Sequence, residues 1–475
     1  MTERLSFLWP EIILFFTTCV VMVLGLSRTY RNRKATAWMA GIGVAIAGGM
    51  AAIATPTEVS MLPETGQLLL PGMPPFIKPL IAIVGLMLLL LLAGTVDRQD
   101  EEKIAACKAS FDPLRSNRAE FYAFYLFSLT GLMLCASADD LIWLFLALEL
   151  TSLPTYIMVT ISTQQSRSRE AGVKYFFLGA LGAAIFLYGF ALIYGGTGTT
   201  NLNEIRESIV ASGLNSLTLA GVLLAVLGLG FKIASVPMHF YTADVYEGAA
   251  PQVSAFLAFV PKTAGFIGIL LLCAAIGWDF GPASIADGPM VAGSGDDLPN
   301  VLRVMLWVVA SVKRILAYSS IAHSGYMLVG VIAGPGDTGR FTENGVAAVL
   351  FYLLAYGVMN LGAFAVIAAL EGRRTADGEF RQIESMQDLR GLCSTHPALG
   401  WSMVLTSLSL LGLPPLLGFF GKLPLFTAGI AAGEISLVVI LGINSAIAAV
   451  YYLRLAFVPL LEKPDPMAEP MTLSL

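Results

Sequence analysis

Apolar runs of about 17 to 25 residues, the length a helix needs to cross a hydrocarbon core, recur from one end of this chain to the other. Candidate spans cover residues 11–27, 37–54, 78–95, 120–138, 141–161, 172–194, 217–238, 251–276, 300–312, 315–333, 345–370, 398–428 and 435–460. That pattern leaves little choice of fold. Inside a bilayer every backbone N–H and C=O must be bonded internally, so only helices and closed barrels span it. A barrel would show short segments of alternating polarity, and the runs do not alternate. The expected fold is an all-α polytopic membrane protein of about thirteen transmembrane helices. Composition agrees: 13% of the 475 residues are charged, against roughly 25% in a soluble domain.

Basic residues orient the chain. With the N-terminus outside, the inner loops and the C-terminal tail hold 19 Lys and Arg, while the N-terminal tail and the outer loops hold 4: Arg4, Lys78, Arg206 and Arg340. The positive-inside rule therefore places the N-terminus on the outer side. The ninth span is the weak point, because residues 300–312 reach only about 20 Å as a helix across a core of about 30 Å, and Arg303 lies within them. Residues 96–119 and 371–397 are too polar to span, and 278–299, rich in Gly, Asp and Pro, reads as an outer loop. The expected division is an N-terminal three-helix segment (1–119), a first bundle (120–276), a second bundle (300–460) and a polar tail (461–475). Residues 174–193 echo 350–369 in pattern, and each precedes a proline-interrupted run with a lysine, Lys232 in one and Lys422 in the other. Two repeats of inverted topology around discontinuous helices would give this.

The informative residues are the charges inside these runs. Glu149 lies near the middle of its span, and Lys232, Lys262 and Lys422 lie in three others. Such residues are costly in lipid and usually line a polar path. Lys232 precedes Pro237 by five residues, and a proline opens the helical ladder and frees a carbonyl. Burial favours a neutral lysine and a nearby carboxylate favours a charged one, so a Glu149–Lys232 pair is suited to holding and releasing a proton. Lys262 follows Pro261 and has the same chemistry, and Lys422 follows the interrupted GLPPLLGFFG. His323 is a candidate relay, since imidazole donates and accepts near neutral pH. For each of these the plainer reading, a paired or packing residue, stays open. Asp139 and Asp140 are expected to cap a helix, Arg454 to snorkel, and His239, Asp244 and Glu247 to bond the interrupted helix end.

Other chemistries are disfavoured. The five cysteines show no CxxC or Cys/His grouping and read as packing thiols. No metal site is expected, no phosphate-binding loop follows a strand, and a net charge of -5 gives no sign of nucleic-acid binding.

Several segments resemble, in order, the antiporter-like subunits of respiratory complex I. They are LELTSLPTY (148–156), GFKIASVPMHFYTADVYEGAAP (230–251), FVPKTAGF (259–266), KRILAYSSIAHSGYM (313–327), YLLAYGVMNLGAF (352–364) and GLPPLLGFFGK (412–422). DVYEGAAP and AYSSIAHSGY are similar to subunit N of bacterial NADH–quinone oxidoreductase. The resemblance, which covers roughly residues 80–460, implies a multi-pass subunit of the bacterial inner membrane. Such a subunit translocates protons while NADH oxidation and quinone reduction occur elsewhere in the complex. It implies that Glu149, Lys232, Lys262 and Lys422 match the family's buried glutamate and lysines. It also implies partners among other membrane subunits, an indirect link to the quinone pool, and no FMN, iron–sulfur, NADH or quinone site in this chain. A cation/proton antiporter subunit independent of NADH is the alternative. Two departures stand out against the family's fourteen helices: VLRVMLWVVAS runs almost straight into VKRILAYSS, and no final helix follows Pro470. The first is expected to alter the polar path between Lys262 and Lys422.

Overall fold

A computed structural model describes residues 7–27, 29–53, 70, 72–93, 118–163, 166–235, 238–239, 241–277, 319–336, 340–371 and 386–462. The ninth span at 300–312, the outer loop 278–299, most of the inner loop 96–119, Pro237 and the tail beyond Glu462 lie outside them. Regular structure among the described residues is helical, apart from one isolated bridge between Asp140 and Asn201.

The helices are α1 (Trp9–Gly25), α2 (Tyr30–Ile53), α3 (Met73–Leu92), α4 (Arg118–Ala136), α5 (Leu141–Ile161), α6 (Ser166–Thr197), α7 (Leu202–Ser212) and α8 (Ser216–Lys232). They continue with α9 (Thr242–Gly248), α10 (Pro251–Ile276), α11 (Ser319–Ala333), α12 (Gly345–Glu371), α13 (Leu392–Thr395), α14 (Pro397–Leu411), α15 (Leu417–Ala431) and α16 (Ile435–Leu461). Eight of them have at least 18 residues and are apolar enough to cross a membrane, and five more are shorter apolar helices. The chain is thus an all-α polytopic membrane protein. Its helix starts follow local chemistry. Proline occupies the first turn of α1, α3, α10 and α14, where the missing N–H costs nothing. Asp140 caps α5 as expected, accepting from the backbone N–H of Ile142 (2.7 Å) and Trp143 (3.3 Å). Asn201 and Asn215 cap α7 and α8 in the same way.

Helix α10 is the hub. Every residue from Gln252 to Ile276 is buried, and α3, α4, α5, α7, α8, α9, α11 and α12 all touch it. It runs unbroken through Pro261. On one side α5, α6 and α8 pack together; on the other α11, α12, α14, α15 and α16 do. Helices α6 and α8 meet backbone to backbone: a Cβ added to Gly189 would lie 2.5 Å from the Ala225 nitrogen and 2.6 Å from the Gly221 carbonyl oxygen. Small residues allow such backbone contact, the usual route to tight helix packing in lipid.

Three expectations change. Helix α7, unpredicted, is too polar to span but buries Leu202 and Ile205. The run over 398–428, expected as one span interrupted before Lys422, is two separate helices, α14 and α15, divided at that interruption. Lys78, predicted in an outer loop, is 2% exposed inside α3 and forms a 2.8 Å ion pair with Glu11 of α1, itself 4% exposed. Glu11 also accepts from Ser137 (3.4 Å).

Candidate functional site

The run that carries Lys232 stops being helical at Lys232 itself, five residues before the proline that marks the break in sequence. The end is a Schellman turn: the Ser235 N–H reaches the Gly230 carbonyl (2.7 Å) and the Ala234 N–H reaches the Phe231 carbonyl (3.0 Å). Ala234 supplies the left-handed residue, at φ 54, a conformation that disfavours any side chain. Hydroxyls then bond the carbonyls that the stop exposes. Ser235 donates to Gly230 (3.1 Å), Tyr241 to Phe231 (2.8 Å), and Ser324 of α11 to Ile233 (2.8 Å). Tyr241 is fixed by stacking on Phe231, with ring centroids 4.2 Å apart, and on Tyr175, 5.4 Å apart.

At this end the Lys232 ammonium lies 3.3 Å from the Glu149 Oε1 of α5. It also donates to the Leu148 carbonyl (3.2 Å) and the Ser152 hydroxyl, and faces the Phe186 ring at 5.3 Å. Lys232 is 4% exposed and Glu149 18%, so the ammonium is enclosed while the carboxylate sits at the edge of the bundle. In such surroundings the pair interacts far more strongly than in bulk water.

Lys262, midway along α10 and 2% exposed, donates to the Ser324 hydroxyl (3.1 Å). The same hydroxyl bonds Ile233, the residue after Lys232. The Lys262 ammonium lies 5.6 Å from the centre of the Tyr356 ring, whose centroid is 4.8 Å from that of His323. His323 is fully buried, with Nδ1 2.5 Å from the Tyr352 hydroxyl and Nε2 2.6 Å from the Tyr452 hydroxyl. On its far side Tyr326 packs edge-on at 5.5 Å, and the Lys422 ammonium stands 4.8 Å from that ring. The predicted residues Glu149, Lys232, Lys262, His323 and Lys422 therefore form one line from α5 to α15, joined by hydroxyls and aromatic rings.

The second break is built like the first. Helix α14 ends in a Schellman turn with Gly412 at φ 92, the Leu413 N–H on the Leu408 carbonyl (3.1 Å) and the Gly412 N–H on the Ser409 carbonyl (2.9 Å). Here the lysine comes from the helix after the break. Lys422, in α15, donates back to the Leu410 (3.2 Å) and Leu411 (2.8 Å) carbonyls and to Ser445 of α16 (3.2 Å). Among the described residues no carboxylate pairs with Lys422. The negative end of α14 is its counter-charge.

Two residues of the polar turn do something other than expected. Asp244 pairs with Lys174 (2.9 Å) and Glu247 with Arg167, so both pin α9 to α6 instead of bonding the interrupted end. Sequence reading also missed the neutral partners Ser152, Ser324, Tyr352, Tyr452 and Ser445. Hydroxyls are common in membrane helices, and only a three-dimensional neighbour distinguishes one that bonds a lysine. Among the described residues no group of His, Cys, Asp and Glu is arranged to hold a metal.

Comparison with known proteins gives a consistent result. The family model described as NADH:quinone oxidoreductase/Mrp antiporter, TM, matches residues 138–287 and 302–448. NADH-quinone oxidoreductase subunit N of Trichlorobacter lovleyi is 35% identical over 464 residues, covering 95% of this chain and 87% of that one. Among solved structures, a chain of respiratory complex I from Thermus thermophilus with bound aureothin superposes with a TM-score of 0.71 at 29% identity. That match covers 96% of this chain and 90% of the other. A chain of the Mrp complex from Dietzia sp. DQ12-45-1b gives a TM-score of 0.72 at 22% identity over 98% and 82%, a likeness of fold.

Proposed function

Since the chain belongs to the NADH:quinone oxidoreductase/Mrp antiporter family and its extended relatives are subunit N proteins, we propose that it moves protons across the bacterial inner membrane as part of an NADH–quinone oxidoreductase. The observation that carries this reading is the Glu149–Lys232 pair at an interrupted helix end, continued by Lys262, His323 and Lys422. A lysine held between a carboxylate and polar backbone exchanges its proton when the balance between burial and counter-charge shifts. Redox events in neighbouring subunits would shift that balance electrostatically. In this reading NADH, flavin, iron–sulfur clusters and quinone act in other subunits, and this chain contributes the translocating path.

The topology belongs to the same proposal. Thirteen crossings, an outward N-terminus and two inverted bundles (120–276 and 300–460) after a three-helix segment (1–119) are supported by the basic-residue asymmetry and the paired Schellman ends.

The test is proton uptake by vesicles holding the assembled complex, driven by NADH and a quinone. Lys232→Ala is expected to cut protons moved per NADH about tenfold or more, the scale of one strongly shifted proton site. Normal pumping by an assembled Lys232→Ala complex removes the assigned role. Exchange of Na⁺ or K⁺ for H⁺ without NADH or quinone supports an independent antiporter instead.

A further inference from the structure

We propose that the Ser324 hydroxyl is a switch through which the charge on Lys262 sets the capping of the helix end that carries Lys232. The proposal rests on the reading of both lysines as proton sites and adds a residue that reading does not include. Ser324 is fully buried on α11. It accepts from the Lys262 ammonium (3.1 Å) and donates to the Ile233 carbonyl (2.8 Å). A hydroxyl has a single hydrogen, and a protonated lysine offers donors only. While Lys262 is charged, therefore, the hydroxyl must accept from it, and its hydrogen is directed to Ile233. A neutral lysine presents a lone pair, and the hydroxyl can turn its hydrogen toward that nitrogen. The Ile233 carbonyl, in a residue only 1% exposed, then loses this donor.

Within a turn otherwise bonded through Gly230 and Phe231, Ile233 is the weakly held residue. Ile233 caps α8, its own N–H bond to Leu229 is long (3.4 Å), and Ala234 beyond it holds φ 54. Loss of the hydroxyl bond loosens this turn, and Lys232 is one residue away. The Lys232 contacts to Glu149 (3.3 Å) and Leu148 (3.2 Å) depend on where the turn holds it. Charge on Lys262 thus favours the Lys232–Glu149 contact, and loss of that charge favours its release. Linkage makes the effect reciprocal: strengthening the Lys232 contact favours the charged Lys262. Among the described residues, the titratable groups around this point include Tyr356 of α12, His323 beside Ser324 on α11, and Lys232 with Glu149 behind the helix end.

The experiment measures protons moved per NADH by vesicles containing the whole complex with Ser324→Ala, Ser324→Thr, Lys262→Ala and the Ser324→Ala/Lys262→Ala double variant. One such hydrogen bond predicts a loss of roughly three- to tenfold in Ser324→Ala, with Ser324→Thr within about twofold of the parent. Because Ser324 acts through Lys262, the double variant should pump no worse than Lys262→Ala alone. Additive losses, or unchanged pumping in Ser324→Ala while Lys262→Ala is impaired, overturn the switch and leave the proposed function standing. Unchanged pumping in Lys262→Ala and Lys232→Ala overturns the proposed function itself. Should Ser324→Ala not assemble, Ser324→Cys, a near-isostere with a weak donor, replaces it. Equal pumping by the Cys and Thr variants then overturns the switch.

Discussion

At Lys232 a helix end carries the ammonium to a carboxylate; at Lys422 the ammonium is carried to a helix end. Both breaks use the same backbone turn, with Ala234 in the left-handed position of one and Gly412 in that of the other. They differ in what balances the charge. Lys232 has Glu149 at 3.3 Å, whereas Lys422 has the Leu410 and Leu411 carbonyls and the Ser445 hydroxyl. A carboxylate is a full charge that can itself be neutralised or move at the bundle edge. A helix terminus is a fixed partial charge of roughly half that size. In the proposed function the first centre would be adjustable through Glu149, while the second would work against a constant partial charge.

The largest difference should appear on removing each lysine. Lys232→Met leaves Glu149 without its ammonium and should lower stability by about 2–3 kcal/mol, below the range for a fully enclosed pair because Glu149 is partly exposed. Lys422→Met leaves only carbonyls short of a donor and removes a buried charge, so its net cost should stay under about 1 kcal/mol. Thermal midpoints of the purified complexes check this, and equal shifts would break the contrast. Next in size is an attempt to convert the second centre into the first. Ser445→Asp places a carboxylate near Lys422, which should hold the proton there and slow translocation about tenfold with the complex still assembled; initial rates of NADH-driven proton uptake read it out. Smallest are the turns themselves. Gly412→Ala should cost about 1–2 kcal/mol, because its Cβ adds left-handed strain and would lie 3.0 Å from the Lys422 Cδ. Ala234→Gly should gain up to about 1 kcal/mol, so midpoints moving in opposite directions would sharpen the backbone likeness of the two breaks.

The spans were legible because hydropathy is a property of a segment: 141–161 and 251–276 match α5 and α10 residue for residue. The buried charges of the candidate site were legible because an ion in such a run is conspicuous. Interruptions were less so. Proline is the visible sign of a broken helix, but α8 stops before Pro237 through an alanine in a left-handed turn, and no residue type announces that. Lys78 was misplaced because its partner Glu11 lies far back in the chain, and at a run's edge only such a partner separates a buried ion from a loop charge. Helix α7 escaped because a search for spans passes over a short amphipathic segment, although Asn201 followed by Leu202, Ile205 and Ile209 carries both a cap and a stripe.

Helix α10, enclosed by protein along its length, has a consequence for chemical labelling. A photoreactive probe dissolved in the acyl chains would tag outward residues such as Phe16, Trp38, Leu90, Phe177 and Val450 and find no side chain between Gln252 and Ile276. Lys262 is thus insulated from lipid by neighbouring helices, and any proton reaching it comes through the protein interior and not from the acyl chains.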